Sequence, residues 1–294
     1  LKPVCRSLTW ALITLISAAF SPAQTAGDTA LPRGSVHPPD RSVTAVIADD
    51  IGISFHDAVE FYTAPLAFNT TDWNRAATGA GAVAAVMAMD EPLNRLLVSH
   101  APPRYLDDPL EWAKEWGRLR TMQIWSVGVY AGGLVSGHDG IRITGRLMGE
   151  ALLLAGVPAI TLQYGLGRSR PRSNHGAFRF NFFEWADENQ SLPSGHTTVA
   201  FAVSTVLAKR IDRMWATVTL YTAAGFTALA MAWGDEHWPS DLVVGAALGY
   251  LAGSYVVSRE EEREAGATES GARTQSRFEA GVGPGGLSVR YRLF

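Results

Sequence analysis

The chain has 294 residues, enough for one large domain or two small ones. Charged residues make up 18 % and hydrophobic residues 47 %, which leaves either a helical protein with much buried surface or a membrane protein. The net charge of −3 argues against a nucleic-acid partner.

Lys2 and Arg6, the apolar run Leu8–Phe20 and the small residues Ser21 to Ala23 have the architecture of a secretory signal peptide over residues 1–23, cut after Ala23. The run is short for a transmembrane anchor. The single cysteine, Cys5, lies inside this segment, so the mature chain has no disulfide, thiol nucleophile or cysteine metal site. Gln24–Arg41 is rich in Pro, Gly, Thr and Asp and reads as an exposed arm. Val43–Leu66 mixes apolar residues with Asp49, Asp50, Asp57 and Glu60, the pattern of an amphipathic helix lying on a surface. Asp72 is placed to cap a helix over Trp73–Val98, broken near Asp90-Glu91-Pro92. One helix is expected from about Leu110 through Val135 and another from about Ile141 to Leu166. Gly167–Pro193 is a long polar loop, and loops of that length inside a domain are usually functional. Helices follow at about Gly195–Lys209, Met214–Gly234 and Ser240–Arg259. Residues 260–294 read as a flexible tail, with a lone strand possible at Gly285–Phe294. The fold class is all-α: a bundle of about five to six core helices in residues 71–259, behind the arm and helix of 24–70, with the active site at one end.

Four runs lack charge: Thr121–Gly137, Ala151–Gly167, Met214–Gly234 and Leu242–Ser258. At roughly 17–21 residues each is near the length of a membrane span. The basic turn Lys209–Arg213 suits a cytoplasmic loop, so Gly167–Pro193 and Gly234–Pro239 would face outward. Glu150 and the acidic residues of the first helix keep a soluble bundle open as the alternative.

Three clusters fall on that outward side. Ser194, Gly195 and His196 sit where loop becomes helix, a place that offers free N–H groups to an anion. Ser194 can cap the helix, and His196 can give a proton near neutral pH. Gly167-Arg168-Ser169-Arg170-Pro171 brings a guanidinium suited to phosphate. His237 and Asp241 are spaced to meet at a helix start, where a carboxylate can orient an imidazole nucleophile. Each cluster alone also fits a structural role: a capped helix, a solvated basic loop, a His–Asp cap pair. Together they form a kit for attack on a phosphoryl group.

These residues resemble the type-2 phosphatidic acid phosphatases, whose superfamily includes the vanadium haloperoxidases. The family signature has a lysine two helical turns ahead of an Arg-Pro pair, then Pro-Ser-Gly-His, then a Ser-Arg pair ahead of a histidine with an aspartate one turn beyond. Arg170-Pro171, Pro193–His196 and His237/Asp241 match it in order, over about Ile141–Val257. The resemblance implies that His237 attacks phosphorus, Asp241 orients it and His196 protonates the leaving oxygen. It implies that Arg170, Ser194 and the N–H of Gly195 hold the phosphoryl oxygens, with no metal and no cofactor. The expected activity is that of an acid phosphatase or phosphatidic acid phosphatase-like hydrolase acting on a phosphorylated small molecule or lipid. The expected place is the bacterial cell envelope: the inner membrane with the site facing the periplasm, or the periplasm itself. The sequence leaves the oligomeric state open.

The signature lysine is Gln163 here, and the Ser-Arg pair is Ala230-Met231. Gln163 keeps a neutral donor, whereas Met231 cannot replace a guanidinium. Losing one transition-state donor costs roughly 10²–10³ in rate. Arg168 and Arg172 are the candidates to reach in, which places Arg168 among the phosphate-binding residues with Gln163. The competing readings are a phosphatase-fold pseudoenzyme, a vanadate haloperoxidase and a non-catalytic helical membrane protein.

Overall fold

The computed structural model describes residues 42–100, 102–275, 278–283 and 286–291, with side chains up to residue 267. The signal peptide and the arm expected ahead of residue 42 lie outside the described residues.

Among these residues the chain forms nine α-helices. The first, α1 (Val43–Thr63), starts on Ser42, whose hydroxyl accepts the Ala45 N–H. The expected amphipathic helix is present, but two of its acids turn inward: Asp50 and Asp57 are buried. Asp50 accepts from Tyr130 at 2.7 Å and pairs with Arg142, and Tyr62 donates to the Leu153 carbonyl at 3.2 Å. Helix α2 (Thr70–Met87) is capped by Asn69, with Asp72 closing the box from the third helical position. Helix α3 covers Asp90–Ser99.

The single helix expected over 110–135 is two: α4 (Asp107–Trp116) and α5 (Leu119–Ser136). The break falls at Gly117. A Cβ there would lie 2.5 Å from Thr227 Cγ2 and 2.7 Å from the His196 carbonyl oxygen, so the turn approaches two other helices more closely than a side chain permits. Helix α6 (Asp139–Leu166) follows and ends on Gly167 in the left-handed region. After the long loop come α7 (Gly195–Ile211), α8 (Met214–Trp233) and α9 (Pro239–Gln275).

Helices α5 to α8 pack in sequence order, α5 on α6, α6 on α7, α7 on α8, and α4 closes onto α8. Helix α9 lies against α7 through Gly245, Gly249 and Gly253. Cβ atoms at these positions would come within 2.6 Å of the Ser194 oxygen, 2.4 Å of the Thr198 oxygen and 2.8 Å of Thr205 Cβ. The contacts advance in the same direction along both helices, so α7 and α9 are parallel neighbours in backbone contact. Small residues one turn apart permit this spacing, as they do between membrane helices.

Among the described residues, three helices are long and apolar enough to cross a membrane: Asp139–Leu166, Met214–Trp233 and Pro239–Ala267. Large apolar side chains stand exposed along them, among them Leu153, Ile160, Val218 and Leu251. Water would not favour that surface, and lipid would.

The chain divides into two compact units, Leu1–Val256 and Val257–Phe294. In the second, α9 continues past the expected end at 259. The i,i+3 pairs Arg259–Glu262 (2.8 Å) and Arg263–Glu260 (3.0 Å) support the added turns. The strand expected near the C-terminus has a partner after all: β1 (Phe278–Gly283) pairs antiparallel with β2 (Gly286–Tyr291), Phe278 opposite Tyr291.

The seam between α7 and α9 makes a direct prediction. Gly249→Ala should destabilise the protein by about 1–3 kcal/mol through overpacking, read as a lower melting temperature in detergent. Gly225→Ala, where no atom lies within 4 Å of the new Cβ, should not.

Candidate active site

The parallel seam sets two helix starts side by side. Ser194 caps α7, its hydroxyl accepting from the Thr197 hydroxyl at 3.0 Å, and its N–H donates to the Asp241 carbonyl at 3.0 Å. The Pro193–His196 turn is therefore bonded to the first turn of α9. Gly195 opens α7. Gln163 donates to the Pro193 carbonyl at 2.8 Å, so it clamps this turn from α6.

His237 precedes α9 and is 2 % exposed. Its Nδ1 lies 2.7 Å from the Ser191 carbonyl oxygen. A carbonyl only accepts, so the ring proton sits on Nδ1 and the lone pair on Nε2. Burial, and then the charge of Arg170, pull the His237 pKa down to about 3, so the imidazole is neutral at ordinary pH. A neutral ring with a free Nε2 is a competent nucleophile.

Asp241 was expected to hold this ring directly. Its nearest oxygen stands 3.9 Å from Nδ1, outside hydrogen-bond range. Its carboxylate has other partners: the Ser191 hydroxyl and the Trp238 N–H (2.9 Å) on Oδ2, and Arg168 on Oδ1 at 2.6 Å. Asp241 thus positions His237 through Ser191, whose side chain it holds and whose carbonyl holds the ring.

Arg168 lies beneath the site, not in it. The side chain is fully buried. It donates to Ala177 O (2.8 Å), Ser240 Oγ (2.8 Å), Asp241 (2.6 Å) and Asp90 (2.7 Å). Trp238 and Phe180 flank its guanidinium at 5.7 and 5.9 Å. Fully buried and committed to two carboxylates, Arg168 is closed off from a phosphate, which corrects the phosphate-binding role expected for it.

Arg170 keeps its head group nearer the surface, its side chain 13 % exposed. It bonds to Glu236 at 2.7 Å and to the Asp187 carbonyl at 2.8 Å. Arg172 pairs with the same two acids, so four residues form a closed ring of charge. The Arg170 charge acts on both histidines, lowering the pKa of each.

His196 faces a cavity of about 360 Å³ that Gly195, Gln163, Arg118 and Arg120 also line, with Leu152 and Ile160 among its apolar walls. His237 and Arg170 are not among the lining residues. Burial lowers the His196 pKa, and the charges of Arg118 and Arg170 add to the effect. Met231 and Ala230 belong to an apolar cluster with Leu110 and Ala113, well suited to methionine and closed to a cation. Among the described residues no group of three or more His, Cys, Asp or Glu is placed to hold a metal ion.

Sequence reasoning missed four contributors. Ser191 acts through its backbone carbonyl, which no side-chain pattern announces. Asp90 is remote in sequence, and only the fold brings it to Arg168 and to the Ser240 N–H at 2.8 Å. Glu236 adjoins His237 in sequence, but its carboxylate serves Arg170 and Arg172. Arg118 was hidden inside a helix drawn straight through Gly117.

Residues 145–264 match the model of the PAP2 superfamily. Over 65 residues the chain is 42 % identical to a lipid A 1-phosphatase of Porphyromonas gingivalis, a match that takes in 21 % of this chain and 15 % of that protein. The chain therefore spans well under two thirds of that relative. A crystal structure of Aquifex aeolicus LpxE superposes with a TM-score of 0.46 at 20 % identity, covering 58 % of this chain and 95 % of that one.

Arg168→Ala should cost about 3–5 kcal/mol of stability, because it strands two buried carboxylates. Chemical denaturation checks this. Unchanged stability with weakened phosphate binding would return Arg168 to the phosphate.

Proposed function

We propose that this chain, whose residues 145–264 match the PAP2 superfamily, removes a phosphoryl group from a lipid phosphate or pyrophosphate through a phosphohistidine on His237. The observation that carries the reading is the state of His237: neutral, with Nδ1 fixed on Ser191 and Nε2 free. In the first step Nε2 attacks phosphorus while the bond to the leaving oxygen breaks, and His196 gives that oxygen a proton. In the second, His196 takes a proton from water as its oxygen attacks the phosphohistidine, which frees orthophosphate and restores both rings. Arg170 and the N–H groups at the start of α7 hold the developing charge. To do so, Arg170 exchanges Glu236 and Asp187 for phosphoryl oxygens.

A lipid substrate is supported by the three membrane-length helices and by the apolar walls of the His196 cavity. The relative named as a lipid A 1-phosphatase points the same way. The basic Lys209–Arg213 turn follows the far end of α7 from His196, so it favours a cell-envelope protein with the site facing the periplasm. The second reading, a pseudoenzyme, is favoured by Met231 in its apolar cluster and by Gln163 in its clamp.

The discriminating experiment is phosphate release from phosphatidic acid and from lipid A in mixed micelles by wild type and His237→Ala. The proposal expects turnover in wild type and its loss in the variant. Equal rates would leave the pseudoenzyme. A pH profile adds a second check. His196 must be protonated to act as acid, and its pKa lies below the usual 6.5, so kcat/KM should fall as pH rises through that lowered value. His237 must be neutral, so the acid limb should wait until pH approaches about 3. An alkaline limb above pH 7 would contradict the assignment of His196.

A further inference from the structure

The turn between α4 and α5 is pressed against the backbone of His196, and Gly117 is what admits it. The next residue is Arg118. Arg118 and Arg120 line the cavity that holds His196, Gly195 and Gln163. Helix α4 is fixed there from several sides. Leu110 and Ala113 pack with Ala230 and Met231. The Thr227 hydroxyl donates to the Ala113 carbonyl at 2.7 Å, and the Trp116 indole donates to Ser204 Oγ at 3.0 Å. The methionine standing where the resembling family has an arginine is thus part of the seat of α4. The end of that same helix delivers a different arginine to the cavity.

Arg118 is available for the task. Its side chain is 54 % exposed, and its partner is Glu115, three residues back at 2.6 Å. A surface pair of this kind is worth little, so a dianion can displace it. No side chain among the described residues pairs with Arg120. Arg118 is also, after burial, the largest cause of the lowered His196 pKa, which sets its charge close to that ring.

We propose that Arg118, with Arg120 beside it, supplies the positive charge missing at positions 163 and 231, binding the phosphoryl group of an anionic amphiphile whose chain lies along Leu152 and Ile160. The proposal rests on the phosphatase reading for the substrate, but the binding it describes stands apart from turnover. Arginine here contacts substrate oxygens from the α4–α5 turn, the side opposite the signature positions in sequence, so family motifs do not reveal it.

The test uses the full chain in detergent micelles, with phosphatidic acid as substrate and inorganic phosphate as competing ligand. Arg118→Ala should lower kcat/KM on the order of 10²-fold, Arg118→Lys should recover part of it, and the inhibition constant of phosphate should rise about tenfold in Arg118→Ala, in line with loss of one charged contact. Equal melting temperatures would show that the exposed substitution leaves the fold intact. Wild-type turnover that Arg118→Ala leaves within twofold, with unchanged inhibition by phosphate, would overturn the inference and spare the phosphatase reading. Absence of wild-type turnover would instead sink the phosphatase reading. Phosphate binding followed by phosphorus NMR then decides alone: binding lost in Arg118→Ala supports the inference, and equal or absent binding overturns it.

Discussion

The backbone contact between α7 and α9 is the constraint on which the site depends. Three glycines one helical turn apart let α9 meet α7 at positions where a Cβ would collide with it. The two parallel helices then start together, and the Ser194 N–H reaches the Asp241 carbonyl. Any larger residue would separate the starts. The Pro193–His196 turn and the His237–Asp241 turn would then no longer share hydrogen bonds. Packing of small residues along the α7/α9 seam thus sets the distance between the Pro193–His196 turn and His237.

Beneath that pair of turns lies a buried ion cluster. Arg168 spans Asp90 and Asp241 and touches Ser240, while Asp90 also takes the Ser240 N–H and hydroxyl. Burying three charges is costly unless every donor and acceptor finds a partner, and here each of these groups has more than one. The cluster joins α3, the long loop and the start of α9 into one rigid support. Above it, Arg170 and Arg172 are balanced by Glu236 and Asp187, carboxylates that occupy the guanidiniums as phosphoryl oxygens would. The lower arginine is fully buried, whereas the upper one keeps a partly exposed head group. That contrast explains why neighbouring residues of one basic loop have unlike fates.

Much of the bundle was legible because glycine, proline and polar runs punctuate apolar periodicity, as at Gly137–Gly140 and Gly167. Of the two helix boundaries that differ, one has a tertiary cause and the other a local one. Gly117 does not interrupt the apolar pattern of 110–135; the break comes from the approach of α7 and α8. Beyond Arg259 the composition is that of a tail, yet ion pairs carry the helix onward. The three clusters were legible as clusters, since each sits at a helix boundary. Their internal wiring was not. The spacing of His237 and Asp241 places them near each other, but the choice of partner was decided by Ser191 and Arg168, which arrive from elsewhere. Arg118 could be found only once the turn at Gly117 was seen against His196.

The most direct measurement is the identity of the phosphorylated atom in a trapped intermediate. Rapid quench of the full chain with a labelled lipid phosphate, followed by mass spectrometry and isomer-resolved phosphorus NMR, locates it. The account predicts phosphate on His237, on Nε2, because Nδ1 is bound to the Ser191 carbonyl. Phosphate on Nδ1 of His237, or on His196, would contradict it.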